Sequence, residues 1–328
     1  MDSLLFAINA IAPIVLMVLI GYLLKKLKLI DGNFTKTTNK LVFNVFMPVM
    51  LFLNIYNIKD LSTQDFTYMW YIICFVIFVF LIGIPLVIMT TPKNERRGVL
   101  AQSIFRSSYS LIGIPLAEAL NGTLGVACAT LLAAIVIPLF NILAIISFTV
   151  FNPNYEKPSI KKIIIGIIKN PLILGILIGL VMVFIRSTFA NIGIDFKLEN
   201  ISPLYTILGY LSKVTIPLAL LVLGAQFEFS VVSSMKKEIV FGTLARTIIV
   251  PLITIGLAFI LFKDKFLPAH FACIVATFAT PITVAIVPMA QELKSDEILA
   301  GQLVVWTTLI SGITVFLATF LLNLGGAI

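Results

Sequence analysis

An all-α polytopic membrane protein with ten transmembrane helices, arranged as two inverted five-helix repeats, is the fold the sequence predicts. Three observations lead there. Hydrophobic residues make up 60% of the 328 and charged ones only 12%, with a mean hydropathy of +1.11, whereas soluble domains carry about 25% charged residues. Ten apolar windows approach or exceed the roughly 20 residues that cross a bilayer. Two short motifs also recur, in the same order and at nearly the same offset, in the two halves of the chain.

The windows are Leu4–Leu27, Thr37–Ile55, Phe66–Met89, Val99–Leu120, Leu124–Val150, Ile163–Ile185, Pro203–Gln226, Ile239–Phe262, Ala269–Ala290 and Ile298–Leu322. The first has an acidic start, a basic end and no small-residue cleavage site, so it reads as a retained span rather than a signal peptide. The second, fourth, seventh and ninth contain internal prolines or polar residues and are candidates for function. The loop FNPNYEKPSIKK divides the chain into a first repeat over 1–152, a cytoplasmic connection over 153–162 and a second repeat over 163–328. Alternate loops carry fifteen Lys and Arg on one side and five on the other. The positive-inside rule then puts both termini outside, in a multi-pass protein of the cell (plasma or inner) membrane.

The repeat rests on two matches. IPLAEAL, from Ile114, matches VPMAQEL, from Val287, at an offset of 173. NVFMPVMLFL, from Asn44, matches KVTIPLALLV, from Lys213, at an offset of 169. An odd number of spans per half makes the halves enter the membrane from opposite sides, as in many secondary transporters. The fourth and ninth spans are the broken candidates. Gly113 and Pro115 mark one break, and Pro281 and Pro288 the other, because proline removes a backbone donor and clashes with the preceding turn. Carbonyls freed in lipid need protein or water partners, so paired breaks suggest a polar cavity.

Other classes find little support. The three cysteines, Cys74, Cys128 and Cys273, fit no metal or redox spacing, and buried inert thiols are expected. One histidine, His270, and no H-E-x-x-H motif argue against a metal site or an intramembrane enzyme. A channel or a membrane sensor is the alternative to a carrier, without a repeated filter sequence to support it. The net charge of +8 maps onto loops rather than onto a nucleic-acid surface.

The stretches NKLVFNVFMPVMLFLNI (Asn39–Ile55), SYSLIGIPLAEAL (Ser108–Leu120), LSKVTIPLALLVLGAQF (Leu211–Phe227) and ATPITVAIVPMAQEL (Ala279–Leu293) resemble the auxin efflux carrier family. The chain is similar to its compact prokaryotic members, which include bacterial malate and malonate permeases, since the long loop of many plant members is absent. The resemblance implies ten spans, an inverted repeat, and broken helices four and nine that cross. It also implies organic anions as substrates. The family usually has Asn at the head of the fourth-span motif, where this chain has Ser108.

Arg106 lies nine residues beyond Arg97, about 14 Å into the membrane. A charge at that depth costs at least about 2.5 kcal/mol and calls for a partner or water. Arg106 either grips an anionic substrate, caps broken-helix carbonyls, joins an ion pair, or snorkels. Ser107, Ser108 and Ser110 in the fourth span, with Thr277, Thr280 and Thr283 in the ninth, can bond a substrate or their own helices. Asn44, Ser107, Ser108, Ser110, Thr280 and Thr283 join Arg106 as candidate substrate contacts. Thr277 and Thr280 are a candidate ion site. Lys213 either attracts anions or snorkels, and Arg246 reads as an interfacial anchor. Gly179 and Gly224 read as sites of close helix packing. Glu118, Glu228 and Glu292 fall at span ends, with no acid securely mid-membrane. No cofactor is expected; sodium coupling, proton coupling and facilitated diffusion stay open. The expected partners are a small organic anion and the bilayer, with a homodimer left open.

Overall fold

The computed structural model describes residues 2–57, 66–152, 169–191 and 197–328, so the expected connection over 153–162 lies outside the described residues. Most of those residues are helical, with no strand among them. The helices, numbered along the described chain, are α1 (Asp2–Lys26), α2 (Gly32–Leu41), α3 (Met47–Tyr56), α4 (Thr67–Thr90), α5 (Asn94–Phe105) and α6 (Ile114–Val150). They continue with α7 (Pro171–Asn191), α8 (Ser202–Gln226), α9 (Lys236–Leu244), α10 (Val250–Phe262), α11 (Pro268–Phe278), α12 (Ile286–Glu292) and α13 (Glu297–Leu324).

Seven of the described helical runs are long and apolar enough to cross a membrane. One of them, Asn94–Val150, takes in both the fourth and fifth windows of the sequence. It is unwound at Arg106–Ser108 and bent again at Asn121 and Gly122, where Gly122 takes φ +54°. That left-handed conformation is open to glycine and strained for most other residues. The ninth window is split between α11 and α12, and the residues between them are not helical. Apolar side chains such as Leu252 (74% exposed) and Ile260 (76%) face outward, as lipid-facing positions do.

Packing sorts the helices into two groups that do not follow the halves of the sequence. In the first, α1 lies along α8, and α3 lies along α7 and α8. The second gathers α4, α5, α6 and α9 to α13, with α11 against α6 at its centre. Close approach in the first group is set by glycine. A Cβ on Gly224 would collide with the Val18 carbonyl, and one on Gly21 with that of Leu221. A Cβ on Gly179 would come within 3.0 Å of the Phe52 carbonyl oxygen. Gly224 and Gly179 thus do the packing work the sequence suggested.

The groups meet where α1 touches α13 and α2 reaches α12. There the Asn39 Nδ2 donates to Gln291 Oε1 (2.7 Å) and Gln226 Oε1 (3.2 Å). At the same end, Arg96 of α5 donates to Glu238 Oε1 of α9 (2.8 Å) and to Asp296 Oδ2 (3.0 Å). Asp296 is also the N-cap of α13, its Oδ1 accepting from the Leu299 amide at 2.8 Å, which satisfies an otherwise orphaned donor.

The cysteine expectation needs one correction. Cys128 and Cys273 are buried, but Cys74 is exposed, because it lies on an outward-facing side of α4. His270 is buried and stacks on Tyr68 at 4.3 Å between ring centroids.

Candidate functional site

The two unwound segments touch. The Ser108 amide donates to the Pro281 carbonyl at 2.8 Å, and a Cβ on Gly113 would lie 3.1 Å from the Ala276 carbonyl oxygen. Beside this contact lies a cavity of about 450 Å³. Its walls come from α3 (Met47, Met50, Leu51, Asn54), the first break (Arg106 to Leu111), α6 (Ile137, Phe140, Asn141), α8 (Ser212, Lys213, Ile216, Pro217) and the second break (Thr283 to Ala285). Both helix groups therefore contribute. The described lining holds two cationic side chains, Arg106 and Lys213, and no carboxylate.

Arg106 follows α5 with extended backbone (φ −93°, ψ 124°) and is 4% exposed. Its Nη1 donates to Gln102 Oε1 at 2.8 Å and contacts Met289 Sδ at 3.0 Å; its Nη2 donates to Asn141 Oδ1 at 2.9 Å. Asn141 is in turn held by the Ile137 carbonyl at 2.8 Å. These partners are neutral. A guanidinium has five N–H donors, so Nε–H and one Nη2–H have no partner among the described residues. Ser107 Oγ is buried beside it, also without a partner. Ser110 Oγ accepts from Asn54 Nδ2 at 3.0 Å.

Of the candidate substrate contacts, Arg106, Ser107, Ser108, Ser110 and Thr283 line this cavity. Asn44 does not. It is exposed, and its Nδ2 donates to the Lys40 carbonyl at 2.9 Å. The reason is the π-helical turn Val42–Phe46, whose extra residue shifts the face of everything before it. Met47, Met50, Leu51 and Asn54, spaced i, i+3, i+4 and i+7, form the inward face instead. Thr280 is also excluded. It is fully buried, and its hydroxyl donates to the Ala276 carbonyl at 2.8 Å.

The ion site expected at Thr277 and Thr280 is already filled. The Thr277 hydroxyl bonds the Cys273 carbonyl at 2.8 Å. The Thr277 and Thr280 carbonyls accept from Arg246 Nη2 and Nε, each at 2.8 Å. Arg246 is thus no interfacial anchor: it is 0% exposed. Of the four helix-break residues, only Pro281 lies in an unwound stretch. Gly113 ends the π-helical turn Tyr109–Gly113. Pro288 stands in the first turn of α12, where a missing N–H costs no hydrogen bond, whereas Pro115 follows the π-helical turn directly and lies inside a helical run that begins at Tyr109. Neither of these two prolines is itself unwound; the unwound stretches lie upstream of them, at Arg106–Ser108 and at Pro281–Thr283. Lys213, for which snorkelling was one reading, lines the cavity.

Sequence reasoning passed over Gln102, Asn141, Asn54 and Met289. Asn141 carried a usable signal, as the lone asparagine in the fifth window. Among the described residues no cluster of three His, Cys, Asp or Glu is placed to hold a metal.

A family model for membrane transport proteins matches residues 6–319, nearly the whole chain. The chain belongs to this family, the auxin efflux carriers. It is therefore a multi-pass membrane protein of a transport family. No curated protein matches the chain. Within an auxin efflux carrier the natural place to look for cargo contacts is the cavity against the two breaks.

Proposed function

We propose that this auxin efflux carrier family member is a secondary transporter that binds a small organic anion, a carboxylate, beside Arg106 and moves it by alternating access. One observation carries the reading. A buried guanidinium with only neutral partners borders a cavity whose described lining contains no acid. A permanently charged group in such a place favours an anion. Its unpartnered Nε–H and Nη2–H leave donors for a carboxylate, a group that can grip a guanidinium with two parallel bonds. Ser107 Oγ, Ser110 Oγ and Thr283 supply neutral polar contacts nearby, and Lys213 adds a second positive charge from the other helix group.

Alternating access follows from the division of the walls. Movement of the α4–α6 and α9–α13 group against the α1–α3, α7 and α8 group changes the cavity on both sides at once. The Asn39–Gln291 bond, which joins α2 to α12, is then one that has to break and re-form in each cycle. The reading includes ten spans in an inverted repeat over 1–152 and 163–328, both termini outside, in the cell membrane. These parts rest on the loop charges and paired motifs.

The test is uptake. Purified protein in liposomes is assayed for saturable, counterflow-competent movement of radiolabelled mono- and dicarboxylates. Arg106→Gln is expected to lose it. Unchanged affinity and rate in that variant sink the proposal. Flux that neither saturates nor shows counterflow favours a channel instead.

A further inference from the structure

Arg246 leads the large side chains that are fully buried, yet it does not line the cavity. It sits in the π-helical turn Ala245–Ile249 that joins α9 to α10. Its Nε reaches the Thr280 carbonyl, its Nη2 the Thr277 carbonyl, and its Nη1 lies 3.5 Å from the Ile104 carbonyl. Thr277 is the penultimate residue of α11, as Ile104 is of α5, and Thr280 lies just past the end of α11. The C-terminal ends of the two half-helices, one from each half of the sequence, therefore converge on a single guanidinium.

Helix ends leave carbonyls without intrahelical partners and carry partial negative charge. In a membrane such oxygens need a partner, and unwound carbonyls in transporters commonly coordinate a cation from solution. We propose that Arg246 is a built-in counter-cation of the crossing: it occupies the carbonyl set at Thr277 and Thr280 and takes the structural place of a bound sodium ion there. It acts as a positioning residue. Thr280 is followed by Pro281, whose carbonyl holds the Ser108 amide, and Ser108 adjoins Ser107 and Arg106. Fixing the carbonyls of the second break thereby fixes the hydroxyls and guanidinium of the first.

Only the functional consequence rests on the transporter reading. The test uses melting of the purified full chain, with no substrate, so the two ideas fail separately. Wild type is expected to melt at the same temperature in sodium chloride and choline chloride. Arg246→Ala is expected to melt lower and to be raised again, saturably and by on the order of 2–4 °C, by millimolar guanidinium chloride. Wild type is expected not to respond. Guanidinium shifting both proteins equally, or neither, overturns the proposal, as does a sodium-dependent rise in wild type that Arg246→Ala lacks. Should Arg246→Ala not fold, Arg246→Lys and Arg246→Met decide by yield and monodispersity. Lysine retaining folded protein where methionine does not supports the charge; equal behaviour of the two overturns it.

Discussion

Removing Arg96 should be among the most destabilising single changes at the basic end of the molecule. Its side chain, with those of Glu238 and Asp296, is 9–11% exposed. Glu238 Oε1 takes one bond from Arg96 and another from the Thr91 hydroxyl at 3.0 Å. Asp296 divides its oxygens between Arg96 and the first turn of α13. Arg96→Met keeps the length of the stem and deletes the charge, leaving two nearby carboxylates without it. Breaking a buried pair by removing one partner costs about 3–5 kcal/mol. Position near the water layer argues for the lower end, about 3 kcal/mol, or roughly 5–10 °C in melting temperature. The assay is thermal melting in detergent of Arg96→Met, Glu238→Gln and the double variant. Glu238→Gln leaves the Asp296 bond and should cost about 1–2 kcal/mol. The double variant should cost less than the sum of the singles, since residues in one network couple. A shift within 1 °C for Arg96→Met, or strict additivity in the cycle, refutes the account.

Arg106→Gln should weaken binding of an effective organic acid by about 10–100-fold, from the roughly 1.5–3 kcal/mol of charged hydrogen bonds, read as loss of ligand-induced thermal stabilisation. Gly224→Ala should lower stability by about 1–3 kcal/mol through overpacking against the Val18 carbonyl, read by melting. Asn44→Ala should melt within about 0.5 kcal/mol of wild type and leave uptake unchanged, because its side chain turns away from the cavity.

The sequence made the polar breaks visible, since Arg106 and three serines stand out in an apolar run. It located the charge better than the unwinding. Pro115 and Pro288 looked like helix breakers, but one is carried by a helix that begins with a π-helical turn and the other fits a first helical turn, and sequence does not say on which side of a proline the chain unwinds. Asn44 was misplaced by a local event, a π-helical turn, that rotates a face without any compositional mark. Thr277 and Thr280 suggested an ion held by hydroxyls together with backbone carbonyls; the carbonyls do meet a cation, the side chain of Arg246, which no hydroxyl pattern points to, since backbone oxygens are present at every position. Arg246 carried the least signal of all. Assigned to the end of a window, it looked interfacial; the side chain instead runs inward from the π-helical turn to carbonyls 31 and 34 residues away.

The interleaving of the two helix groups bears on how the chain is made. The partners of α1 and α3 are α7 and α8, which leave the ribosome only after α4, α5 and α6. The face of α1 that carries Gly21 therefore waits in the insertion machinery or in lipid until late in synthesis. The first half of the chain, expressed by itself, would hold the wrong set of neighbours: a group of helices lacking the surfaces they are shaped to meet. Quality control that senses unpaired helices in the bilayer would see every nascent copy as incomplete until α8 arrives.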